Sequence, residues 1–387
     1  MRSLSQLVWR RGPVPRTIRG VSPTTARTAL AASLLSLGPV TGCGSELPIQ
    51  YETEHLRIAT DFDHPLCKGD LVALERIIST VEDELSVKMK RVTTVYVWDD
   101  DHWHFGPNEN CSATALGCIN YSTSTIWTSR EMLEHELVHA VVATPSLAPF
   151  FDEAIADVYA GRQARFGDTA PTANAGTSWL TADRQVGRHF IRWLREQWGA
   201  EALGELTRAG GDSFKAFRSV YGVSIEAAEA LYFEEAPYGY PSMYGCDGPR
   251  LTEQSAGVAW ADVLDLDCGA GEDTRVGGIG MSVHRTFVVT EPGFYTFNLD
   301  ADWFDIFRCS GPRVDQAPLP GEAWEDAPLH HSAFPSGGYQ HYYGRTVRDL
   351  YLEAGTHDIN IGLLGHDQGT ARIAIWPSSG AQPATPG

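Results

Sequence analysis

The stretch "EMLEHELVHAVV", residues 131–142, sets two histidines four apart with a glutamate directly after the first. On an α-helix His135 and His139 lie one above the other, because side chains at i and i+4 share a face. Two neutral imidazoles at that spacing suit one Zn²⁺ ion, bound at about 2.0–2.1 Å. Glu136 is turned from that face, yet stays near enough to take a proton from a water held there. Met132, Leu133, Leu137, Val138, Val141 and Val142 are apolar, which predicts a helix buried on most sides. Two histidines and a glutamate left without partners in such a setting are costly, and a metal ion removes that cost.

A zinc hydrolase needs a third protein ligand and an open fourth position. The extended pattern H-E-x-x-H-x-x-G-x-x-H is excluded, since Val142 and Pro145 stand where its glycine and third histidine belong. The next apolar helix, "PFFDEAIADVYAG" (149–161), carries Glu153 and Asp157 four apart with no Lys or Arg among them. Buried acids in that company call for a cation.

Together the two stretches resemble the gluzincin metallopeptidases, the broad clan of thermolysin and the zinc aminopeptidases. There H-E-x-x-H is followed on a second helix by an aromatic-x-x-E-G/A-x-A pattern, matched here by Phe150-Phe151-Asp152-Glu153-Ala154-Ile155-Ala156. The resemblance spans roughly residues 51–236, and its specific part lies within 135–157. It implies a zincin-like fold with His135, His139 and Glu153 as metal ligands and Glu136 as general base. It also implies that Asp157 accepts a hydrogen bond from a ligand histidine's outer ring nitrogen, and that an edge strand at 119–128 receives an extended substrate. Thirteen residues separate His139 from Glu153, so the connection is tight. The residue expected to stabilise the oxyanion has no assignment: His189, Tyr238, Tyr240 and Tyr244 all qualify by type.

At 387 residues the chain suits two domains. Residues 51–98 read as strand, helix, strand, and helices are expected at 130–143, 149–161, 179–199, 200–210, 213–222 and 224–236. Beyond residue 240 short alternating runs separated by turn residues predict an all-β sandwich. "EPGFYTFN" (291–298) and "EAGTHDIN" (353–360) share a turn pattern that looks like the small sandwich modules appended to many secreted bacterial peptidases. The fold class is therefore α+β: a metallopeptidase domain over 51–240, preceded by a linker at 43–50. An accessory β-sandwich follows over 241–377, with a loose tail at 378–387.

The first 42 residues hold six Arg and no Asp, Glu or Lys, and the apolar run "ALAASLLSLGPV" (29–40) follows the last Arg. This is the layout of an export signal. "VTGC" (40–43) resembles a bacterial lipoprotein box, which implies acylation at Cys43 and a membrane anchor. Removing residues 1–42 leaves 30 − 6 = 24 basic against 49 acidic residues, a net charge of −25. That balance disfavours nucleic acid as a partner.

Setting Cys43 aside leaves six cysteines, an even number that predicts up to three disulfides in an exported chain. Cys111–Cys118 is the first expected pair and Cys268–Cys309 the second, which leaves Cys67 to reach Cys246. Asp300, Asp302 and Asp305, the loop "DDDHWHF" (99–105) and His330-His331 read as solvated or turn residues rather than metal sites.

The expected function is that of an exported, lipid-anchored zinc metallopeptidase acting on a protein or peptide substrate, with the oligomeric state open. The alternative is a surface-attached binding lipoprotein whose peptidase-like domain is inactive or keeps only a structural zinc. An intact Glu136 counts against it, because a structural site has no use for a base.

Overall fold

The computed structural model describes residues 47–62, 64–99, 111, 115–143, 147–162, 164–166, 169–175, 183–236, 239–240, 242–244, 246, 248–255, 259–269, 271, 273–277, 280–309, 331–332, 340–343, 346–365 and 368–380. The expected export signal, Cys43, residues 100–105 of the acidic loop, Tyr238, His330 and residues 381–387 lie outside this set.

The N-terminal half is built on a five-stranded sheet. Its strands are β1 (Tyr51–Glu52), β2 (Leu56–Thr60), β3 (Thr93–Trp98), β4 (Gly117–Asn120) and β5 (Thr125–Ser129), in the order β1-β2-β3-β5-β4. β2, β3 and β5 run parallel, while β1 and β4 close the two edges antiparallel. Central strands such as "TTVYVW" are nearly all buried, as expected for parallel strands covered by helices.

The expected strand at 119–128 is a hairpin instead. The Asn120 side-chain oxygen accepts from the backbone N–H of Ser122 and of Thr123, and Ser124 takes a left-handed conformation. This local capture of the backbone by a short polar side chain turns the chain back, so the edge strand is β4 alone.

α1 (Lys68–Leu85) connects β2 to β3 and packs its apolar face into the core. A 3-10 turn at Arg130–Met132 leads from β5 into α2 (Leu133–Val142), which ends at Ala143 in a left-handed conformation. α3 (Pro149–Tyr159) opens with proline in its first turn, where a missing N–H costs nothing.

Next come the short β6 (Ala164–Arg165) and α4 (Pro171–Ala175), then α5 (Arg184–Trp198), α6 (Ala200–Ala209), α7 (Ser213–Tyr221) and α8 (Ile225–Glu235). Asp183 caps α5, Asp212 caps α7 and Ser224 caps α8 through their side-chain oxygens. β7 (Gly239–Tyr240) returns to pair with β6. A half-buried ionic contact ties this layer together: Glu84 on α1 accepts two hydrogen bonds from Arg195 on α5, at 2.8 and 2.6 Å, and one from the Tyr159 hydroxyl at the end of α3.

Beyond residue 250 the regular elements among the described residues are strands. One sheet has the order β10-β11-β17-β13-β15-β14 and the other β16-β12-β18-β9-β8. The first comprises β10 (Thr274–Gly277), β11 (Gly280–Val289), β13 (Trp303–Arg308), β14 (His331–Ser332), β15 (Gln340–Tyr343) and β17 (Gly355–Leu364). The second comprises β8 (Glu253–Ser255), β9 (Ala259–Leu266), β12 (Gly293–Asp300), β16 (Thr346–Leu352) and β18 (Gly369–Pro377). Inward residues of both sheets, among them Trp260, Phe287, Phe297, Phe304, Ile361 and Ile375, share one core separate from that of the helical half. The α+β class and the C-terminal sandwich of the sequence reading are both present.

Three disulfides form, which fits a non-cytoplasmic compartment. Cys111–Cys118 pairs as expected, but Cys67 bonds Cys268 and Cys246 bonds Cys309. The other two expected pairs, Cys268–Cys309 and Cys67–Cys246, are thus exchanged. The reason is the docking of the sandwich: β10 lies against the start of α1, where Lys68 N donates to the Cys268 carbonyl at 3.0 Å. No helix among the described residues is long and apolar enough to cross a membrane.

Candidate metal centre

α2 and α3 bring the sequence motif together. His135 and His139 are 2% and 8% exposed, and the two ring Nε2 atoms lie 3.1 Å apart. Glu153 reaches in from α3, with Oε2 at 3.2 Å from His135 Nε2 and Oε1 at 3.6 Å from His139 Nε2. Ligands about 2.0–2.1 Å from a tetrahedral ion stand about 3.3 Å from one another, so these separations fit a single small cation. Among the described residues this is the one such group of His, Cys, Asp and Glu, all its ligand atoms lying within 4.8 Å of each other.

The outer ring nitrogens are held as a metal site requires. His135 Nδ1 is 2.8 Å from Asp157 Oδ1, and His139 Nδ1 is 3.4 Å from Asp152 Oδ2. An ionised carboxylate only accepts hydrogen bonds, so each Nδ1 is placed to donate outward, which leaves the inward Nε2 as the atom available to an ion. The expected role of Asp157 matches its position. Asp152, which does the same for His139, lies next to Glu153 inside the quoted motif, but nothing in the spacing marks it out.

Sequence reasoning expected the acids of α3 to lack basic partners, and the structure corrects this. Arg184, at the start of α5, donates from Nη2 to Asp157 Oδ1 at 2.6 Å and from Nε to Oδ2 at 3.1 Å. Arg162 and Arg188 lie 3.4 and 3.6 Å from the same carboxylate. Asp157 is therefore charge-compensated by arginine. Burial alone would raise its pKa, yet the His135 contact and Arg184 bring it down to about 2. Burial also opposes ionisation of Glu153, but the two histidines hold it well below the usual carboxylate range.

Glu136 is 6% exposed and occupies the side of α2 that faces β4. A Cβ on Gly117 would stand 2.5 Å from the Glu136 carboxyl, so the absence of a side chain at the start of the edge strand is what admits this residue. Burial pushes the Glu136 carboxyl upward, opposed by the positive character of His139 and His135. A buried carboxyl whose proton affinity is raised thus sits on the same helix as His135 and His139, against β4.

The candidates for oxyanion stabilisation sort differently. His189 is wholly buried, its Nδ1 2.9 Å from the Tyr232 hydroxyl and its ring against Phe166 and Tyr240. Tyr244 donates its hydroxyl to the Tyr159 carbonyl at 2.7 Å. These residues serve the helical core. Tyr121, in the β4–β5 turn, is the aromatic side chain that senses the site. Although 40% exposed, its phenol is pushed upward by partial burial and then by the negative charge of Asp152, Glu136 and Glu153. Its hydroxyl therefore stays protonated at neutral pH. The hairpin that brings it there was itself missed in the sequence.

The remaining acidic candidates are structural where described: Asp302 Oδ2 accepts from Leu364 N at 2.8 Å, and Asp305 is buried within β13. Comparison with models of known protein families and with curated proteins finds no match.

The Asp157 environment yields a pH signature for the metal-free chain. Its folded pKa of about 2 lies below its ordinary 3.8, so its ionised form stabilises the fold above about pH 4. That contribution, about 2 kcal/mol, is lost as pH falls from about 4 toward 2. Urea unfolding in chelator should show a slope in this window that Asp157→Asn flattens; equal slopes in both proteins would contradict the assignment.

Proposed function

We propose that this chain is a zinc-dependent metallopeptidase of gluzincin type, exported and anchored to a membrane through Cys43. The observation that carries the reading is the convergence of His135 Nε2, His139 Nε2 and the Glu153 carboxylate beside buried Glu136, which lies against β4. Two imidazoles and one carboxylate form a donor set suited to zinc and one that leaves a coordination position free. When bound there, Zn²⁺ polarises the scissile carbonyl and makes water acidic enough to be deprotonated near neutral pH.

The protein's own groups supply the rest. Glu136 takes the proton of the attacking water and then delivers it to the departing amine nitrogen. A carboxyl raised by burial suits both halves of that transfer. Asp157 and Asp152 keep His135 and His139 in the tautomer that turns Nε2 inward, and Arg184 holds Asp157 ionised. β4 ends the strand order of its sheet and lies against Glu136, so an extended peptide that adds to the sheet there as a further strand would reach the base. Exposed Leu116 and Tyr121 flank β4 and offer apolar contact to the substrate. The Tyr121 hydroxyl is the donor suited to the negative charge that grows on the carbonyl oxygen.

A binding protein with a structural zinc would use the same ligands but has no need of a buried base at this position. Incubating a denatured proteome with the mature chain and with Glu136→Gln separates the two readings. The wild type should generate new peptide termini, and the variant about 100-fold fewer or none. Equal numbers from both would remove the peptidase reading. The anchor is tested separately: Cys43→Ser should move the exported chain from the membrane to the soluble fraction, and an unchanged membrane partition would contradict acylation.

A further inference from the structure

The sandwich meets the helical half through β10, and β10 touches the metal helix. Arg275 donates from Nη2 to Glu134 Oε1 at 3.0 Å, and its Nε lies 3.7 Å from Asp70 Oδ1. Glu134 immediately precedes His135. Next along β10, the Val276 carbonyl accepts from Arg130, in the 3-10 turn that leads into α2. The Val276 N–H donates to both Asp70 oxygens at 3.2 Å.

Asp70 in turn accepts from Cys67 N at 2.9 Å and so caps α1. Cys67 is bonded to Cys268 of the sandwich. The approach is close: a Cβ on Gly69 would stand 2.2 Å from the Thr274 carbonyl oxygen. Thr274 is wholly buried. One strand of the C-terminal half therefore grips the first turn of α1 and the entry to α2 together.

α2 is ten residues long, and a helix of that length is marginal on its own. The direction in which it leaves its first turn depends on what holds that turn. Two of its anchors fasten to β10: Glu134 through Arg275, and Arg130 through the Val276 carbonyl in addition to its contacts with His64 and Phe62.

We propose that the C-terminal sandwich is a positioning element of the metal centre rather than a detachable accessory, with Arg275 as the residue that sets the start of the metal helix. Its effect on metal affinity rests on the metallopeptidase reading; the mechanical coupling does not.

Two measurements on the full mature chain test it: backbone hydrogen exchange of residues 131–142, and affinity for Co²⁺ read from its visible absorption. Arg275→Ala should speed exchange over 131–142 and weaken Co²⁺ binding, each about fivefold, the factor expected for an ion pair of this exposure. Exchange over residues 355–364, deep in the sandwich, should stay unchanged. Arg275→Lys keeps one of the two contacts and should fall between the variant and the wild type. Glu134→Gln, which breaks the contact from the other side, should reproduce the exchange effect should Arg275→Ala not fold.

Wild-type exchange over 131–142 in Arg275→Ala, or in Glu134→Gln where that variant stands in for it, would overturn the proposal. A wild-type chain that binds no Co²⁺ would instead remove the metal reading, and the exchange measurement would still decide the coupling.

Discussion

The contact between His135 Nδ1 and Asp157 joins the two helices that carry the site, and it determines what the imidazole can do. With its outer nitrogen committed to a buried carboxylate, His135 turns Nε2 inward. There it faces His139 Nε2 and Glu153 across 3.1 and 3.2 Å. Arg184 stabilises the arrangement from behind by saturating Asp157. Without that guanidinium, a carboxylate with no solvent exposure would be costly to keep ionised. Asp152 repeats the device for His139 at the exposed end of the site. The site is thus oriented from outside inward: arginine holds acid, acid holds imidazole, and imidazole turns Nε2 toward Glu153.

Glu136 illustrates a different constraint. Its place beside the triad is bought with a glycine on the neighbouring strand, because any side chain at Gly117 would fill the volume its carboxyl occupies. The same glycine begins the edge strand, so the base and the proposed substrate platform share one structural condition. The Asn120 turn that ends β4 also carries Tyr121 toward the carboxylates. The proposed platform and the proposed oxyanion donor therefore both lie on one short hairpin, with the proposed base against it.

Much of this was legible in the sequence because it depends on helical spacing. The i, i+4 pairs His135/His139 and Glu153/Asp157 each define a face, and the apolar residues around them predict burial. What was not legible depends on segments distant in the chain. Arg184 lies 27 residues beyond Asp157, and only the packing of α5 on α3 brings them together. The hairpin of β4 and β5 was read as one strand because "INYSTSTIWTS" (119–129) keeps its β-type residues throughout, while the turn is made by an Asn side chain. The disulfide partners of Cys67 and Cys246 depend on how the sandwich docks. Spacing favours near neighbours, whereas Cys67–Cys268 closes 201 residues.

The central claim is that the two helices form one metal centre from His135, His139 and Glu153. Zinc content after dialysis against a zinc-buffered solution, compared between the wild-type chain and Glu153→Gln, tests it most directly. The account predicts about one Zn²⁺ per wild-type chain and a loss of affinity in the variant of about 100-fold or more, since a ligand and not only its orientation is removed. Equal zinc retention by the two proteins, or none by the wild type, would contradict it.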